Sequence, residues 1–389
     1  MTDEVLVRDL LASLFTKSEQ GIVFEKRGYQ KNLPLLKKAA RSIISQLTVP
    51  IDAVCALGTS GLGFAVFLAH ELSLPLYFYK SDGWPRLKDG RTPCVLPQTA
   101  LPTRVLLVDS HYRSSYTWAK AEKRLIKETN LIPKAIALLF HPDTNEVLTG
   151  CSVPILAVCK ASENEDILNK IGRGDNLAKI LAPNSEFWGN NHIPVNVGAP
   201  GDYVRHWKDL LISKPSTIPK INKFDLPNNL ENRIKDIPMS DPDIWTYYLH
   251  PSLVQDIATT LGQIFDFSAY KNIVGVSVLG TALAHSLAYY NESILESTKI
   301  FSAYFEKQLI PVSQHGEIVG ERFLMCQVRL TTGLMSNDAL KLINQENGSC
   351  NTMITLRTNL TLEPERRKKP LKLIYQRGII NIHTMIHDL

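Results

Sequence analysis

Apolar and polar positions alternate along this chain in two registers, and the switches between them mark out its elements. Leu33, Leu36, Ala39, Ile43, Ile44 and Leu47 recur at helical spacing, which predicts a helix over 33–47. Residues 1–16 carry a shorter amphipathic pattern. The largely apolar run Ile51-Asp-Ala-Val-Cys-Ala-Leu57 reads as a buried strand, followed by the loop Gly58-Thr-Ser-Gly61-Leu-Gly63 and a helix over 64–72. Strands are expected at 74–79, 104–108, 134–140 and 153–158, with a helix at 117–128 and a long loop over 80–102.

The same order returns further on. A helix is expected over 253–265, a strand from Asn272, a loop over Gly275–Gly280, a helix over 281–290, and strands at 300–305, 322–326, 351–356 and 371–375. Gly58 lies 51 residues before Asp109, and Gly275 lies 52 before Gln327. That near-equality suggests a tandem duplication. The expected organisation is an N-terminal domain over 1–160, an irregular Pro/Asn/Gly-rich connecting segment over 161–244, and a C-terminal domain over 245–389. Strands alternating with helices predict two α/β domains, each a mostly parallel sheet with helices on both faces.

Composition narrows the picture only slightly. The formal charge of +5 permits phosphate-rich ligands or nucleic acid without demanding them. The six cysteines have no metal-ligand spacing, and Cys55 and Cys326 sit in apolar runs that suggest buried thiols. With no apolar stretch approaching 18 residues and no secretory pattern at the N-terminus, a soluble, cytoplasmic chain without a membrane partner is expected.

The candidate chemistry centres on Arg104-Val-Leu-Leu-Val-Asp109-Ser110-His-Tyr-Arg113-Ser114-Ser115-Tyr-Thr117. Here an apolar run ends in an acid, and a polar loop leads into a helix. An acid so placed can accept from ribose hydroxyls, while loop N–H groups face a phosphate. A turn that caps the following helix is the plainer reading of the same residues. In the second half the pattern becomes Phe323-Leu-Met-Cys-Gln327-Val328-Arg-Leu-Thr331-Thr332-Gly333.

This strand-acid-loop pattern, with its preceding Gly-rich loop and long intervening loop, resembles the type I phosphoribosyltransferases, and orotate phosphoribosyltransferase in particular. The resemblance implies that Gly58, Thr59, Ser60 and Gly61 hold pyrophosphate and that Ser114, Ser115 and Thr117, with Arg113, hold a 5′-phosphate. It implies that Asp109 and Ser110 meet the ribose hydroxyls, with Asp109 the catalytic carboxylate. It also makes 80–102 a hood whose Lys80, Arg86, Lys88 and Arg91 face phosphate. The ligand so implied is phosphoribosyl pyrophosphate or a nucleotide, with Mg²⁺ held partly by Asp109 and no organic cofactor. The family has two adjacent acids, whereas this chain has Asp109 followed by Ser110. Gln327 and Val328 replace both in the second half, so Thr331, Thr332 and Gly333 are read as a relic. The family's paired subunits imply an intrachain pseudo-dimer or a homodimer. Divergent proteins of this kind also resemble accessory components of bacterial defence systems. Two further readings therefore stay open beside an enzyme: a nucleotide sensor, and an effector or scaffold with a protein or nucleic-acid partner.

Overall fold

The computed structural model describes residues 4–18, 21–24, 28–79, 95–96, 102–111, 122, 125–126, 129–142, 152–164, 166, 220–238, 243–303, 309, 318–330, 334–345, 347–358 and 381–388. The chain separates into two compact units. One comprises Met1–Pro194 with Tyr248–Pro251, the other Val195–Tyr247 with Ser252–Leu389.

In the first unit, α1 (Glu4–Leu14) leads into a hairpin of β1 (Phe15–Ser18) and β2 (Gly21–Phe24). A 3-10 turn at Gly28–Lys31 precedes α2 (Leu33–Gln46), whose apolar stripe is buried. The sheet is built from β3 (Ala53–Leu57), β4 (Leu76–Tyr79), β5 (Val95–Leu96), β6 (Thr103–His111), β7 (Leu131–His141) and β8 (Ile155–Lys160). Its order is β5-β4-β3-β6-β7-β8, parallel throughout except for β5. Between β3 and β4 runs α3 (Leu62–Leu72), buried over nearly its whole length. Every residue of β3 and β4 is buried, which is why these strands read as unbroken apolar runs.

The second unit contains β9 (Lys220–Lys223), α4 (Asn228–Lys235), a 3-10 stretch at Asp243–Leu249 and α5 (Pro251–Ile264). Then come β10 (Asn272–Val276), α6 (Ser277–Tyr290), α7 (Glu292–Ser297), β11 (Lys299–Ala303) and β12 (Arg322–Leu330). α8 (Leu334–Gln345), β13 (Ser349–Thr358) and β14 (Asn381–His387) complete it. Its sheet order is β11-β10-β12-β13-β14-β9, with every pairing parallel. The last part of the 161–244 segment thus supplies an edge strand. Arg357 on β13 holds the helix that follows it, donating to the carbonyls of Ile234, Lys235 and Ile237 while forming a two-pronged ion pair with Asp388 at 2.7 and 3.0 Å.

Five strands of each unit share one order, β4-β3-β6-β7-β8 in the first and β11-β10-β12-β13-β14 in the second. The likeness extends to single residues. Ala53 pairs with Val105 in one sheet and Asn272 with Phe323 in the other. Counting from those pairs, the register of the central strand against the next one slips between Val105 and Leu106, and again at the matching place, between Phe323 and Leu324. The same count sets Asp109 against Gln327 and Gly58 against Ser277. The spacing comparison that matched Gly58 to Gly275 is therefore two residues out.

Three expectations need correction. The Gly275–Gly280 loop does not exist, because β10 passes into α6 through one left-handed residue, Ser277 (φ 67°). The acid at 109 does not begin a loop either. β6 runs on to His111, because pairing of Asp109 with Leu138 and of His111 with Phe140 keeps the backbone bonded past the end of the apolar run. Likewise β12 continues to Leu330, enclosing Gln327 and Val328. The 371–375 strand lies outside the described residues, while β14 was not expected.

Candidate functional site

In the first sheet the chain leaves β3 toward β4 on one side, and β6 lies on the other. A crevice opens at such a reversal, beyond the carboxyl ends of the two strands, and ligands of open α/β sheets bind there. The Gly58–Gly61 loop and Asp109 stand at this point.

Gly58 turns the chain with φ 78°, and its N–H donates to the Tyr79 carbonyl at 2.7 Å. No atom lies within 4 Å of a Cβ placed on it, so conformation and not space calls for glycine. At Gly61 the opposite holds. A Cβ there would sit 2.5 Å from Asp109 Cα and 2.7 Å from the Val108 carbonyl oxygen. That close approach lays the first turn of α3 directly on the end of β6. No side chain caps α3 at Gly61. The Thr59 carbonyl accepts from Leu62 N at 3.4 Å.

Asp109 is 1% exposed. Its Oδ1 accepts from Ser60 Oγ at 2.5 Å and from Ser110 N at 2.7 Å. Tyr29 lies outside the motif. Its hydroxyl donates to the Ser60 carbonyl at 2.6 Å and braces the loop from the turn before α2. Nothing in the local sequence marks Tyr29, since its role depends on a contact 31 residues away. Ser110 is fully buried, and its Oγ lies 3.0 Å from His111 Nδ1. At the amino ends of the same two strands, Arg104 forms a two-pronged pair with Asp52, at 2.6 and 2.8 Å. Those hydrogen bonds hold the Asp52 carboxyl down at about 2. β3 and β6 are thus joined by side chains at both ends.

The second sheet keeps the frame and changes the chemistry. A Cβ on Gly280 would lie 2.4 Å from the Cys326 carbonyl oxygen, so α6 meets β12 as α3 meets β6. Gln327 replaces the carboxylate. It donates to the Arg329 carbonyl at 2.7 Å and accepts from Ser336 Oγ of α8 at 2.5 Å. Leu279, the residue before Gly280, has no hydroxyl to offer in the way of Ser60.

Of the sequence-predicted residues, the structure brings together Gly58, Thr59, Ser60, Gly61, Asp109 and Ser110. Lys80, Arg86, Lys88, Arg91, Arg113, Ser114, Ser115, Thr117, Thr331, Thr332 and Gly333 lie outside the described residues. Among the described residues no group of three or more His, Cys, Asp or Glu forms a metal-binding cluster. Nor is any described helix long and apolar enough to cross a membrane. Cys55 and Cys326 are buried free thiols, and burial pushes both up out of the range where a thiolate forms.

No protein-family model matches the chain, and no curated protein matches it. Phosphoribosyltransferases recur among the solved structures that it resembles. UMP synthase from Leishmania donovani superposes with a TM-score of 0.36 at 17% identity, over 48% of this chain and 41% of that one. For orotate phosphoribosyltransferase from Aeropyrum pernix the values are 0.33 and 22%, over 45% and 99%. Adenine phosphoribosyltransferase from Thermoanaerobacter pseudethanolicus gives 0.32 and 16%, over 40% and 99%.

Proposed function

We propose that this is a divergent, tandem phosphoribosyltransferase-like protein whose first unit binds a phosphoribosyl compound or nucleotide beyond the carboxyl ends of β3 and β6. The observation that carries this reading is the Ser60–Asp109 hydrogen bond, which orients the carboxylate toward the Gly-rich loop at the reversal point. Ribose hydroxyls would take the place of the Ser60 hydroxyl as donors to Asp109. Phosphate would meet the loop amides and the uncapped first turn of α3.

Mg²⁺ fits this site only in part. Asp109 offers one carboxylate, and Ser110 follows where a second acid would help. That suits an ion bound mainly through substrate phosphates. When bound, it would offset charge on a departing pyrophosphate. The protein's own part is to hold the sugar against Asp109 and to keep the loop in place through Tyr29.

A second reading has its own support. An acid already engaged by Ser60 and Ser110 N and followed by Ser110 in place of a second acid suits recognition better than transfer, which favours a nucleotide sensor, or an effector of a bacterial multi-component system. In both readings the second unit is a partner without an anionic acceptor, since Gln327 stands at the acid's place.

Calorimetry with phosphoribosyl pyrophosphate, with and without Mg²⁺, tests the binding. Wild type should bind and Asp109→Ala should not; failure of the wild type to bind phosphoribosyl pyrophosphate or any nucleotide would sink the proposal. Pyrophosphate release with a panel of bases then separates transferase from sensor.

A further inference from the structure

The second unit also carries a cluster of rings around Phe265, which meets Phe224 at 6.3 Å and Phe267 at 4.9 Å. Arg322, the first residue of β12, sits over the Tyr270 ring at 5.6 Å. Tyr270 stacks with Phe265 at 6.0 Å and 21°. Phe265 meets His383 of β14 edge-on at 5.3 Å, and His383 stacks on Phe224 at 5.5 Å and 27°. Lys220, the first residue of β9, lies close enough for its charge to act on His383. The rings thus reach from Tyr270, just before β10, to Phe224, just after the edge strand β9, with Arg322 and Lys220 beside them, and exposed Lys271 adjoins Tyr270.

Two features distinguish this strip from ordinary core. Phe224, Phe265 and His383 are each partly exposed, the neighbouring Ile264 is 40% exposed, and Tyr270 is buried behind them. Lys220, Lys271 and Arg322 are exposed and have no carboxylate partner among the described residues. Acids adjoin the strip in sequence at Asp225, Asp266 and Glu321, but Asp266 is turned into its own loop by Ser268 N and Oγ at 2.9 and 2.6 Å. Partly exposed rings flanked by cations without a carboxylate partner match a chain of stacked bases joined by phosphates. A protein partner would be expected to need a broader apolar core than one strip provides.

We infer that the partly exposed Phe265, His383 and Phe224, backed by the buried Tyr270 and with Arg322, Lys220 and Lys271 beside them, form a stacking surface for single-stranded nucleic acid. It stands independently of the sugar-phosphate reading, since none of its residues lies at the crevice of the first unit.

Fluorescence anisotropy of the full chain with labelled single strands of roughly 20 nucleotides, DNA and RNA, against the matching duplex tests this. Wild type should prefer the single strand. The Lys220→Glu, Lys271→Glu and Arg322→Glu variants change exposed side chains, and each should bind at least tenfold more weakly. Replacing a single-strand phosphate contact should lower the salt-dependence slope by about 0.7. Phe265→Leu keeps an apolar filling and removes the ring face, and should weaken binding roughly tenfold with unchanged circular dichroism. Asp109→Ala should bind the strand as wild type does. The inference is overturned if wild type does not bind, if it binds duplex equally well, or if the charge reversals bind as wild type; the strip is then structural or faces a protein.

Discussion

Ser60 Oγ donates to Asp109 Oδ1 at 2.5 Å, so this acid at the first sheet's reversal point is fixed by the loop it faces. In the second sheet Gln327 takes its hydrogen bond from Ser336 on α8, a different element. The carboxylate is nearly inaccessible to solvent, and its charge needs donors. Ser60→Ala should therefore cost about 1.5–3 kcal/mol, because a hydrogen bond to a charged group is lost. Ser336→Ala, which removes a donor from a neutral amide, should cost about 0.5–1.5 kcal/mol. Denaturant unfolding of both variants checks the order, and a larger loss for Ser336→Ala would contradict it.

Gly58 and Ser277 occupy matching places with left-handed backbones, φ 78° and 67°. Nothing lies within 4 Å of an added Cβ at Gly58, so Gly58→Ala should cost only the conformational strain, about 1–2 kcal/mol. Ser277→Gly should relieve that strain, less the entropy glycine loses on folding, for a net gain of up to about 1 kcal/mol. Thermal unfolding reads both. A Ser277→Gly variant clearly less stable than wild type would show that its hydroxyl matters more than its backbone.

Two buried histidines make stability depend on pH. Burial pulls His70 down to about 3 and His285 to about 4, the latter despite its bond to the Thr281 carbonyl. Unfolded, each titrates near 6.5. The unfolded chain thus binds more protons below that value, and stability is full above it and falls as pH drops toward 4. Each histidine should contribute a loss of about 1.4 kcal/mol per pH unit within that window. His285→Gln should flatten the profile measured by denaturation between neutral and acid pH; an unchanged slope would mean His285 is not held neutral.

Much of this was legible in the sequence. β3 and β10 are buried on both faces, so their apolar runs stood out, and the Gly58–Gly61 loop announced the turn that follows β3. What escaped depended on contacts between distant segments. β6 reads as ending at Val108 because Asp109, Ser110 and His111 are polar, yet all three are buried and β6 stays paired with β7 at Asp109 and His111. β9 is Lys-Ile-Asn-Lys, with no alternation to mark a strand, and becomes one only through its pairing with β14. Ser277 went unmatched because the left-handed turn was kept while the glycine was not. The halves match in pairing register and backbone angle more than in residue identity.

Asp109 gives the first unit a carboxylate where the second has Gln327, and the proposed sugar-phosphate binding rests on that difference. Its most direct test is a titration of phosphoribosyl pyrophosphate, with Mg²⁺, into wild type, Asp109→Asn and Gln327→Ala side by side. Asp109→Asn should weaken binding at least tenfold, in line with the roughly 1.5–3 kcal/mol of a charge-assisted contact, while Gln327→Ala leaves it unchanged. Equal losses at the two positions, or wild-type affinity in Asp109→Asn, would contradict the account.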